Sequence, residues 1–191
     1  MISAILLAAG QSKRMGDENK LTKKIKNIPL IKHSINNILA SSIDELIVVL
    51  GHQKVIIEKL IDKNKRTKVV FNKHFENGMS SSIKTGLNEL SGNTKSFFIC
   101  LSDMPLVTYD VYNLIIKSKH KNEIIIPTYE EQQGNPVLFN ISMKEKIMLI
   151  NGDAGAKKIF EKNKNKVFNL AINNPSIAKG FDTQEDFKSY C

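Results

Sequence analysis

The chain has 191 residues, of which 41% are hydrophobic and 25% charged, a composition typical of globular proteins that excludes disordered and fibrous classes. A chain of this length buries roughly 70% of its unfolded surface, so we expect one domain over residues 1–191 without disulfide or metal staples. The net charge of +9 comes from scattered lysines, with Arg14 and Arg66 the only arginines, which favours a solvated surface that attracts anionic substrates over a nucleic-acid-binding patch.

The amino-terminal apolar run and the two cysteines bear on the cellular compartment. The run at residues 2–7 is too short to span a membrane and has no basic stretch before it, so we expect neither a signal peptide nor a membrane partner. Cys100 lies in an apolar run and Cys191 is the last residue, which gives neither a disulfide framework nor metal-ligand spacing. We therefore expect a cytoplasmic protein.

The first strand and its loop, ISAILLAAGQSKRMGDENK at residues 2–20, contain the strongest functional signal. The apolar run is too continuous for a half-exposed strand and predicts a central strand buried on both faces. Small residues then leave peptide N–H groups bare for an anion, while Arg14 and Lys20 add positive charge, which suits a nucleoside triphosphate. The stretch matches neither a P-loop nor a dinucleotide fingerprint, and the alternative is an ordinary strand-to-loop turn with surface lysines.

Further along the chain, apolar runs alternate with segments in which apolar residues recur at helical spacing. The runs predict strands at residues 45–50, 68–71, 97–101, 123–127, 137–139 and 167–172. The helical spacing predicts helices at residues 30–39, with Pro29 in the first turn, at 55–61, 79–90 and 111–116, after 152–155, and from 181–183 onward. This alternation predicts an α/β fold with a doubly wound, mainly parallel sheet and helices on both faces.

Several polar residues follow predicted strands, where ligands bind in open α/β sheets. Asp103 either holds a divalent cation beside phosphates or caps a helix that begins near Pro105. Asp182 is either a second metal ligand or, like Thr183, a cap of the last helix. The serines at residues 80–82 either cap their helix or offer hydroxyls to an anion.

Six segments in order resemble the successive motifs of the molybdenum cofactor nucleotidyltransferases. They are LAAGQSKRMG followed by Lys20, GMSSSIKTGL, LSDMP, QGNPVLF, LINGDAGAKK and FDTQEDF. The similarity is greatest to the cytidylyltransferases, because Ala8-Ala9-Gly10 resembles their opening whereas guanylyltransferases usually have Ala-Gly-Gly. In those enzymes the main chain of this segment lies against the base. One additional alanine methyl group would therefore alter the space available to a purine.

The resemblance implies a Rossmann-like nucleotidyltransferase fold and roles for particular residues. Arg14, Lys20 and Asp103 are the implied catalytic residues, and Asp103 with Asp182 the implied Mg²⁺ ligands. The implied nucleotide-binding residues are Leu7, Ala8, Ala9, Gly10, Arg14, Lys20, Gly78, Ser82 and Asp103. The implied acceptor-binding residues, on the pterin side, are Gly134, Asn135, Pro136 and Asp153, although Gly-Asp-Ala-Gly is also explained as a turn and helix start.

The expected reaction is Mg²⁺-dependent transfer of CMP from CTP to molybdopterin, with pyrophosphate as the leaving group. Alternatives are transfer to a sugar or polyol phosphate, and a non-catalytic accessory protein that binds nucleotide or cofactor and contacts a molybdenum hydroxylase transiently. Some positions depart from the family pattern. Asn27 stands where glycine is common, and Asn135 and Lys157 where histidine or arginine is usual.

Overall fold

The computed structural model describes residues 1–12, 19–118, 122–152 and 157–188. The strands are β1 (Ile2–Ala8), β2 (Lys24–Ile25), β3 (Ile28–Pro29), β4 (Glu45–Leu50), β5 (Thr67–Phe71), β6 (Ser96–Leu101), β7 (Ile124–Tyr129), β8 (Gln132–Gln133), β9 (Val137–Asn140) and β10 (Val167–Ala171). The helices are α1 (Leu30–Ala40), α2 (Lys54–Glu58), α3 (Met79–Asn88), α4 (Tyr109–Lys117), α5 (Lys144–Met148), α6 (Lys157–Lys162) and α7 (Gln184–Lys188). Among these helices, none combines the length and the hydropathy that crossing a membrane requires.

The central sheet has the strand order β10-β7-β9-β6-β1-β4-β5, with β8 paired to β7. Strands β6, β1, β4 and β5 are parallel to one another, and β10 is parallel to β7. Strand β9 runs antiparallel to both β6 and β7, because β7 leads through the β8 hairpin to β9 without a crossover helix. The predicted mainly parallel α/β fold is confirmed, with one reversed strand that the sequence pattern did not reveal.

Both faces of the sheet are covered, which explains the uninterrupted apolar strands. Successive strand residues point to opposite faces, so Leu6 and Val48 join one core cluster while Ile5 and Ile47 join the other. The first cluster includes buried residues of α1, α4 and α7, and the second includes residues of α3, α5 and α6. The sheet is therefore rigid, and its carboxyl edge can hold side chains in fixed positions.

The small hairpin of β2 and β3 explains the departure at Asn27. Lys26 and Asn27 have φ values of 49° and 65°, as a two-residue type I′ hairpin turn requires. Glycine enters this region without strain, and asparagine is among the few other residues that tolerate it. Asn27 therefore occupies a turn position that suits glycine.

Two local predictions need correction. The helix predicted at residues 55–61 ends at Glu58, and Val55 and Ile56 are exposed while Ile57 alone of its residues is buried. The apolar residues at helical spacing continue past Glu58, but the second half of the segment is a turn. Pro29 lies at the N-cap of α1 rather than in its first turn, because it pairs with Lys24 in the hairpin.

Gly86 offers a stability test of the packing of α3 on the sheet. A Cβ at this position would collide with Ile5 Cγ2 and lie 3.2 Å from Val49 Cγ2, and both are side chains of the buried sheet. Overpacking of this kind typically costs about 1–3 kcal/mol, whereas alanine gains up to about 1 kcal/mol in helix propensity. We expect Gly86→Ala to lower the melting temperature by roughly 2–8 °C in thermal unfolding.

The matched control is Gly92→Ala, since a Cβ there meets nothing within 4 Å. It should leave the melting temperature within about 2 °C of the parent. A Gly86→Ala protein as stable as the parent would mean that α3 packs less closely on the sheet.

Candidate active site

A cavity of about 480 Å³ opens at the carboxyl edge of β1, β5 and β6, within the size range of ligand pockets. The loops that follow these strands provide most of its wall. Its lining residues are Leu7, Ala9, Gly10, Gln11, Ser12, Lys20, Leu21, Phe75, Glu76, Gly78, Met79, Ser82, Leu101, Ser102, Asp103 and Asp182. The fold thus brings residues from five separate segments of the chain to one cavity.

One wall of the cavity is bare main chain after β1. A Cβ at Gly51 would lie 2.7 Å from the Cβ atoms of both Ala9 and Phe75, so glycine is needed for this close approach. The His52 N–H donates to the carbonyl oxygen of Ala9 at 3.3 Å, which further holds this wall in place. A Cβ at Gly10 would meet nothing within 4 Å, which leaves open space for a ligand beside the peptide groups.

A compact charged cluster lines another part of the cavity. Lys20 Nζ lies 2.6 Å from Asp103 Oδ2 and 2.7 Å from Asp182 Oδ1. The Lys20 main-chain N–H also donates to the Ser12 hydroxyl at 3.3 Å, which connects the two ends of the loop after β1. The lysine side chain is only 15% exposed, so this cluster is partly shielded from solvent screening.

The two carboxylates dominate the electrostatics of Lys20. Burial lowers the pKa of the ammonium, but the charges and hydrogen bonds of Asp103 and Asp182 outweigh burial, so the pKa lies above its ordinary value. Lys20 is therefore a fixed cation at neutral pH. An ammonium has three N–H donors, and among the described residues two are used by the carboxylates, which leaves one for a ligand.

Asp182 is far from Lys20 and Asp103 in sequence, and contacts of the neighbouring residue Phe181 hold it beside them. The Phe181 N–H donates to the main-chain oxygen of Asp103 at 2.8 Å, and the Phe181 ring is buried edge-on against Phe187 of α7. Thr183 and Asp186 form a capping box, in which Asp186 Oδ2 accepts from the Thr183 N–H and the Asp186 N–H donates to Thr183 Oγ1. Thr183 rather than Asp182 therefore caps α7.

Asp103 does not cap a helix either. Helix α4 begins at Tyr109 with Thr108 at its N-cap, and the segment near Pro105 is a turn. One carboxylate oxygen of Asp103 pairs with Lys20, while the other, Oδ1, is buried without a hydrogen-bond partner in the described ranges. A buried unpaired carboxylate oxygen is costly, and coordination of a cation would satisfy it.

The two carboxylates of this cluster fit a hard divalent cation whose remaining ligands are oxygens of a bound substrate and of water. Within the described residues, no group of three or more His, Cys, Asp or Glu side chains is arranged to hold a metal ion. Mg²⁺ typically needs only one or two carboxylates when phosphates and water complete its shell. Asp103 and Asp182 would supply that number.

The serines of α3 lie inside its first turn and do not cap it. Gly78 occupies the N-cap without a side-chain hydrogen bond, and its φ of 90° favours glycine. Ser82 Oγ accepts from Asn72 Nδ2 at 3.0 Å, and Ser82 lines the cavity. Of the two alternatives for the serines at residues 80–82, helix capping is therefore wrong.

The cavity includes many of the residues implied by the resemblance, and the structure leaves others elsewhere. Leu7, Ala9, Gly10, Lys20, Gly78, Ser82, Asp103 and Asp182 line it, whereas the Ala8 side chain belongs to the core. Gly134, Asn135 and Pro136 are absent from its lining, and Gly134 packs closely against the main chain of Ile177. Arg14 and Asp153 lie outside the described residues.

The sequence patterns did not point to Asn72, which contacts the lining residue Ser82, or to the lining residues Phe75 and Met79. Asn72 directly follows β5, so the rule that ligands meet strand carboxyl ends was a usable signal for it. Phe75 and Met79 line the cavity from a loop and a helix start, and no spacing in the sequence distinguishes such residues from ordinary core side chains.

Known structures identify the class of fold. A Mycobacterium tuberculosis protein superposes with a TM-score of 0.87 at 22% identity, covering 98% of this chain and 96% of its own. A Methanothermobacter nucleotidyl transferase superposes with a TM-score of 0.85 at 19% identity, covering 99% of this chain and 95% of its own. The fold is that of the nucleotidyltransferase-type α/β domains.

Sequence comparison then identifies the family. Residues 4–167 match the MobA-like NTP transferase domain family, and the chain belongs to that family. A probable molybdenum cofactor guanylyltransferase of Methanosarcina mazei is 27% identical over 139 residues, which cover 71% of this chain and 61% of the relative. A probable molybdenum cofactor guanylyltransferase of Natranaerobius thermophilus is 34% identical, covering 66% of this chain and 60% of the relative. The chain therefore spans about three fifths of the length of these relatives.

Proposed function

We propose that the chain is a cytoplasmic nucleotidyltransferase that transfers CMP from CTP to molybdopterin with release of pyrophosphate, in the presence of Mg²⁺. The observation that carries this proposal is the position of Lys20, within 2.7 Å of both Asp103 and Asp182, in a cavity with a bare main-chain wall. A cation beside two carboxylates suits a metal-bound triphosphate. The family match supports the same reaction class.

Lys20 would bind the triphosphate through the N–H that the carboxylates leave unused. Its charge would offset the negative charge that builds up on the departing pyrophosphate, which is how preorganised cations assist phosphoryl transfer. Arg14 is proposed to add a second positive charge from the same loop. The main chain at Ala9 and Gly10 would accommodate the nucleotide without an intervening side chain.

Asp103 and Asp182 would hold the divalent cation, which when bound supplies charge neutralisation at the triphosphate. The orphaned Asp103 Oδ1 supports this assignment. A structural neighbour from Mycobacterium tuberculosis, with a TM-score of 0.80 and 20% identity, is described as a complex with manganese. Mg²⁺ is proposed as the working ion because hard oxygen ligands suit it.

The transfer needs positioning more than acid–base catalysis. A phosphate oxygen of molybdopterin attacks the α-phosphorus of CTP, a new phosphorus–oxygen bond forms, and the bond to the β-phosphate oxygen breaks with its electrons going to pyrophosphate. The attacking phosphate is largely ionised at neutral pH, since its second pKa is about 6, so no general base is required. Holding the two reactants in line is the main contribution of the protein.

The choice of CTP rests on Ala9 of the sequence Ala8-Ala9-Gly10, which lines the cavity wall where the base is proposed to lie. The relatives named as guanylyltransferases make GTP the competing nucleotide. The acceptor is proposed to bind near Gly134, Asn135, Pro136 and Asp153.

The deciding experiment measures pyrophosphate release with CTP, GTP, ATP and UTP in turn, each with molybdopterin and Mg²⁺. We expect CTP with molybdopterin to give the highest kcat/KM. A thermal-shift series with the same nucleotides reports binding separately, because a ligand that binds only the native state raises its apparent stability. Highest turnover with GTP would overturn the CTP assignment and retain the reaction class.

The sequence leaves two other functions as alternatives, and the first is transfer to a sugar or polyol phosphate in place of molybdopterin. Among the other relatives, Bifunctional protein GlmU of Acholeplasma laidlawii is 30% identical over 69% of this chain, covering 29% of that relative. Nicotine blue oxidoreductase of Paenarthrobacter nicotinovorans is 23% identical over 96% of this chain and 93% of its own length. An accessory protein of a molybdenum hydroxylase would bind CTP tightly without releasing pyrophosphate.

A further inference from the structure

The side chain of Asn72 is buried at the carboxyl end of β5 and makes three hydrogen bonds. Its Oδ1 accepts from the His74 N–H at 2.9 Å. Its Nδ2 lies 2.7 Å from Ser81 Oγ and 3.0 Å from Ser82 Oγ, and donates to both. One amide therefore organises the loop before α3 and the first turn of α3.

The orientation of this amide is fixed by its partners. A backbone N–H can only donate, so the amide atom that faces His74 must be the oxygen. The amide nitrogen must then face the two serine hydroxyls. A flipped amide would bring two donors together at His74, which rules it out.

The two serines consequently differ in what their hydroxyl protons can do. Ser81 Oγ is 2.8 Å from each of the carbonyl oxygens of His74 and Gly78, so its proton is used inside the protein. Ser82 Oγ accepts from Asn72, and no acceptor for its own proton occurs among the described residues. Because Ser82 lines the cavity, its hydroxyl is set to donate toward whatever binds there.

We propose that Asn72 is a positioning residue that makes the Ser82 hydroxyl a hydrogen-bond donor toward the nucleobase, so that the site selects a base with an acceptor at that point. The inference rests on the proposed nucleotidyltransferase function. The phosphates belong near Lys20, Asp103 and Asp182, and the residues closest in sequence to Ser82 on the cavity wall, Gly78 and Met79, are uncharged. The base therefore belongs beside Ser82.

This polarity discriminates between the two competing nucleotides. On its pairing edge, cytosine presents the adjacent acceptors N3 and O2 beside the N4–H₂ donor, whereas guanine presents the adjacent donors N1–H and N2–H₂ beside the O6 acceptor. A donating Ser82 that faces the N3 and O2 part of the edge pairs with cytosine, whereas guanine presents a donor at the same place. Leaving a buried donor unpaired lowers relative affinity by roughly ten-fold or more.

The test reverses the polarity by Asn72→Asp. An ionised carboxylate accepts at both oxygens, so one still accepts from the His74 N–H while the other accepts from the Ser82 hydroxyl, which then presents an acceptor to the cavity. We expect the ratio of kcat/KM for CTP to that for GTP to fall by about ten-fold or more, chiefly through the two KM values.

The matched control is Asn140→Asp. Asn140 Oδ1 accepts from the Ser142 N–H at 3.0 Å, two residues ahead as at Asn72, but Asn140 pairs with the first residue of β6, away from the cavity edge. This variant should leave the nucleotide ratio unchanged. A change equal to that of Asn72→Asp would show a general effect of added charge and overturn the proposal.

Serine variants separate positioning from folding. Ser82→Ala should lower the CTP to GTP ratio, whereas Ser81→Ala should not, because only the Ser82 proton faces the cavity. In the Ser82→Ala background, Asn72→Asp should cause little further change in the ratio, since coupled residues show non-additive effects. These comparisons remain decisive if Asn72→Asp alone is too unstable to purify.

The outcomes also separate this inference from the function on which it rests. If CTP and GTP are turned over but the ratio is the same in the parent, Ser82→Ala and Asn72→Asp proteins, the inference fails and the function stands. If none of the nucleotides binds in the thermal-shift series, both fail.

Discussion

Replacing Lys20 by alanine is expected to lower turnover with CTP and Mg²⁺ by roughly 100-fold or more, by analogy with the removal of one preorganised charge-stabilising group. The ammonium is the cation that the described residues place directly between Asp103 and Asp182, and its raised pKa keeps it charged at neutral pH. The measurement is pyrophosphate release under saturating nucleotide. Near-normal turnover would remove Lys20 from the mechanism.

A second readout of Lys20→Ala distinguishes chemistry from folding. Without nucleotide, the ammonium competes with a divalent cation for the same two carboxylates, which it approaches to 2.6 and 2.7 Å. Affinity for Mn²⁺ alone, measured by electron paramagnetic resonance, should therefore rise in the variant while turnover falls. A variant that is merely misfolded would lose both.

The control for this prediction is Lys32→Ala. Lys32 pairs with Asp62 at 2.9 Å on the exposed side of α1, and such surface pairs contribute about 0–1 kcal/mol. It should retain turnover, stability and Mn²⁺ affinity. An equal rise in Mn²⁺ affinity there would mean that net charge, rather than competition at the two carboxylates, causes the effect.

The sheet was predictable because its strands are buried on both faces. Residues such as Ile5 and Val48 belong to short continuous apolar runs, whose length favours a strand buried on both faces over a helix. The reversal of β9 was not predictable from those runs, since it depends on a two-residue strand, β8, whose side chains are exposed. Apolar periodicity reports burial and gives no direct information on strand direction.

The place of the candidate site at the carboxyl edge of the sheet was predictable, whereas its contacts were not. Asp103 follows a buried strand, so its place at the sheet edge followed from the pattern. The position of Asp182 depends on the hydrogen bond from Phe181 to Asp103 and on the burial of Phe181, which are tertiary contacts that local sequence does not encode. That neither aspartate caps a helix likewise followed only from the N-cap positions of α7 at Thr183 and of α4 at Thr108.

Asp103→Asn is expected to lower Mg²⁺-dependent turnover by more than about 100-fold and to raise the Mg²⁺ concentration needed for half-maximal activity. Asparagine keeps the size of the side chain but removes its charge, and a neutral amide is a weaker ligand for a hard cation. The hydrogen bond that anchors Asp182 uses the main-chain oxygen of residue 103, so the substitution leaves that anchor in place. The loss would therefore report on the carboxylate itself.

A matched carboxylate on the next helix provides the control for this change. Asp110→Asn alters an exposed residue in the first turn of α4, where a negative charge contributes about 0.3–1 kcal/mol to the helix. It should leave both turnover and the Mg²⁺ requirement unchanged.

If Asp103→Asn also kept the parental Mg²⁺ requirement and turnover, the buried oxygen Asp103 Oδ1 would need an explanation other than a cation, and the metal would have to be held elsewhere. Because Lys20→Ala is expected to tighten Mn²⁺ binding and Asp103→Asn to weaken it, opposite shifts in one titration would show that all three side chains share a single site.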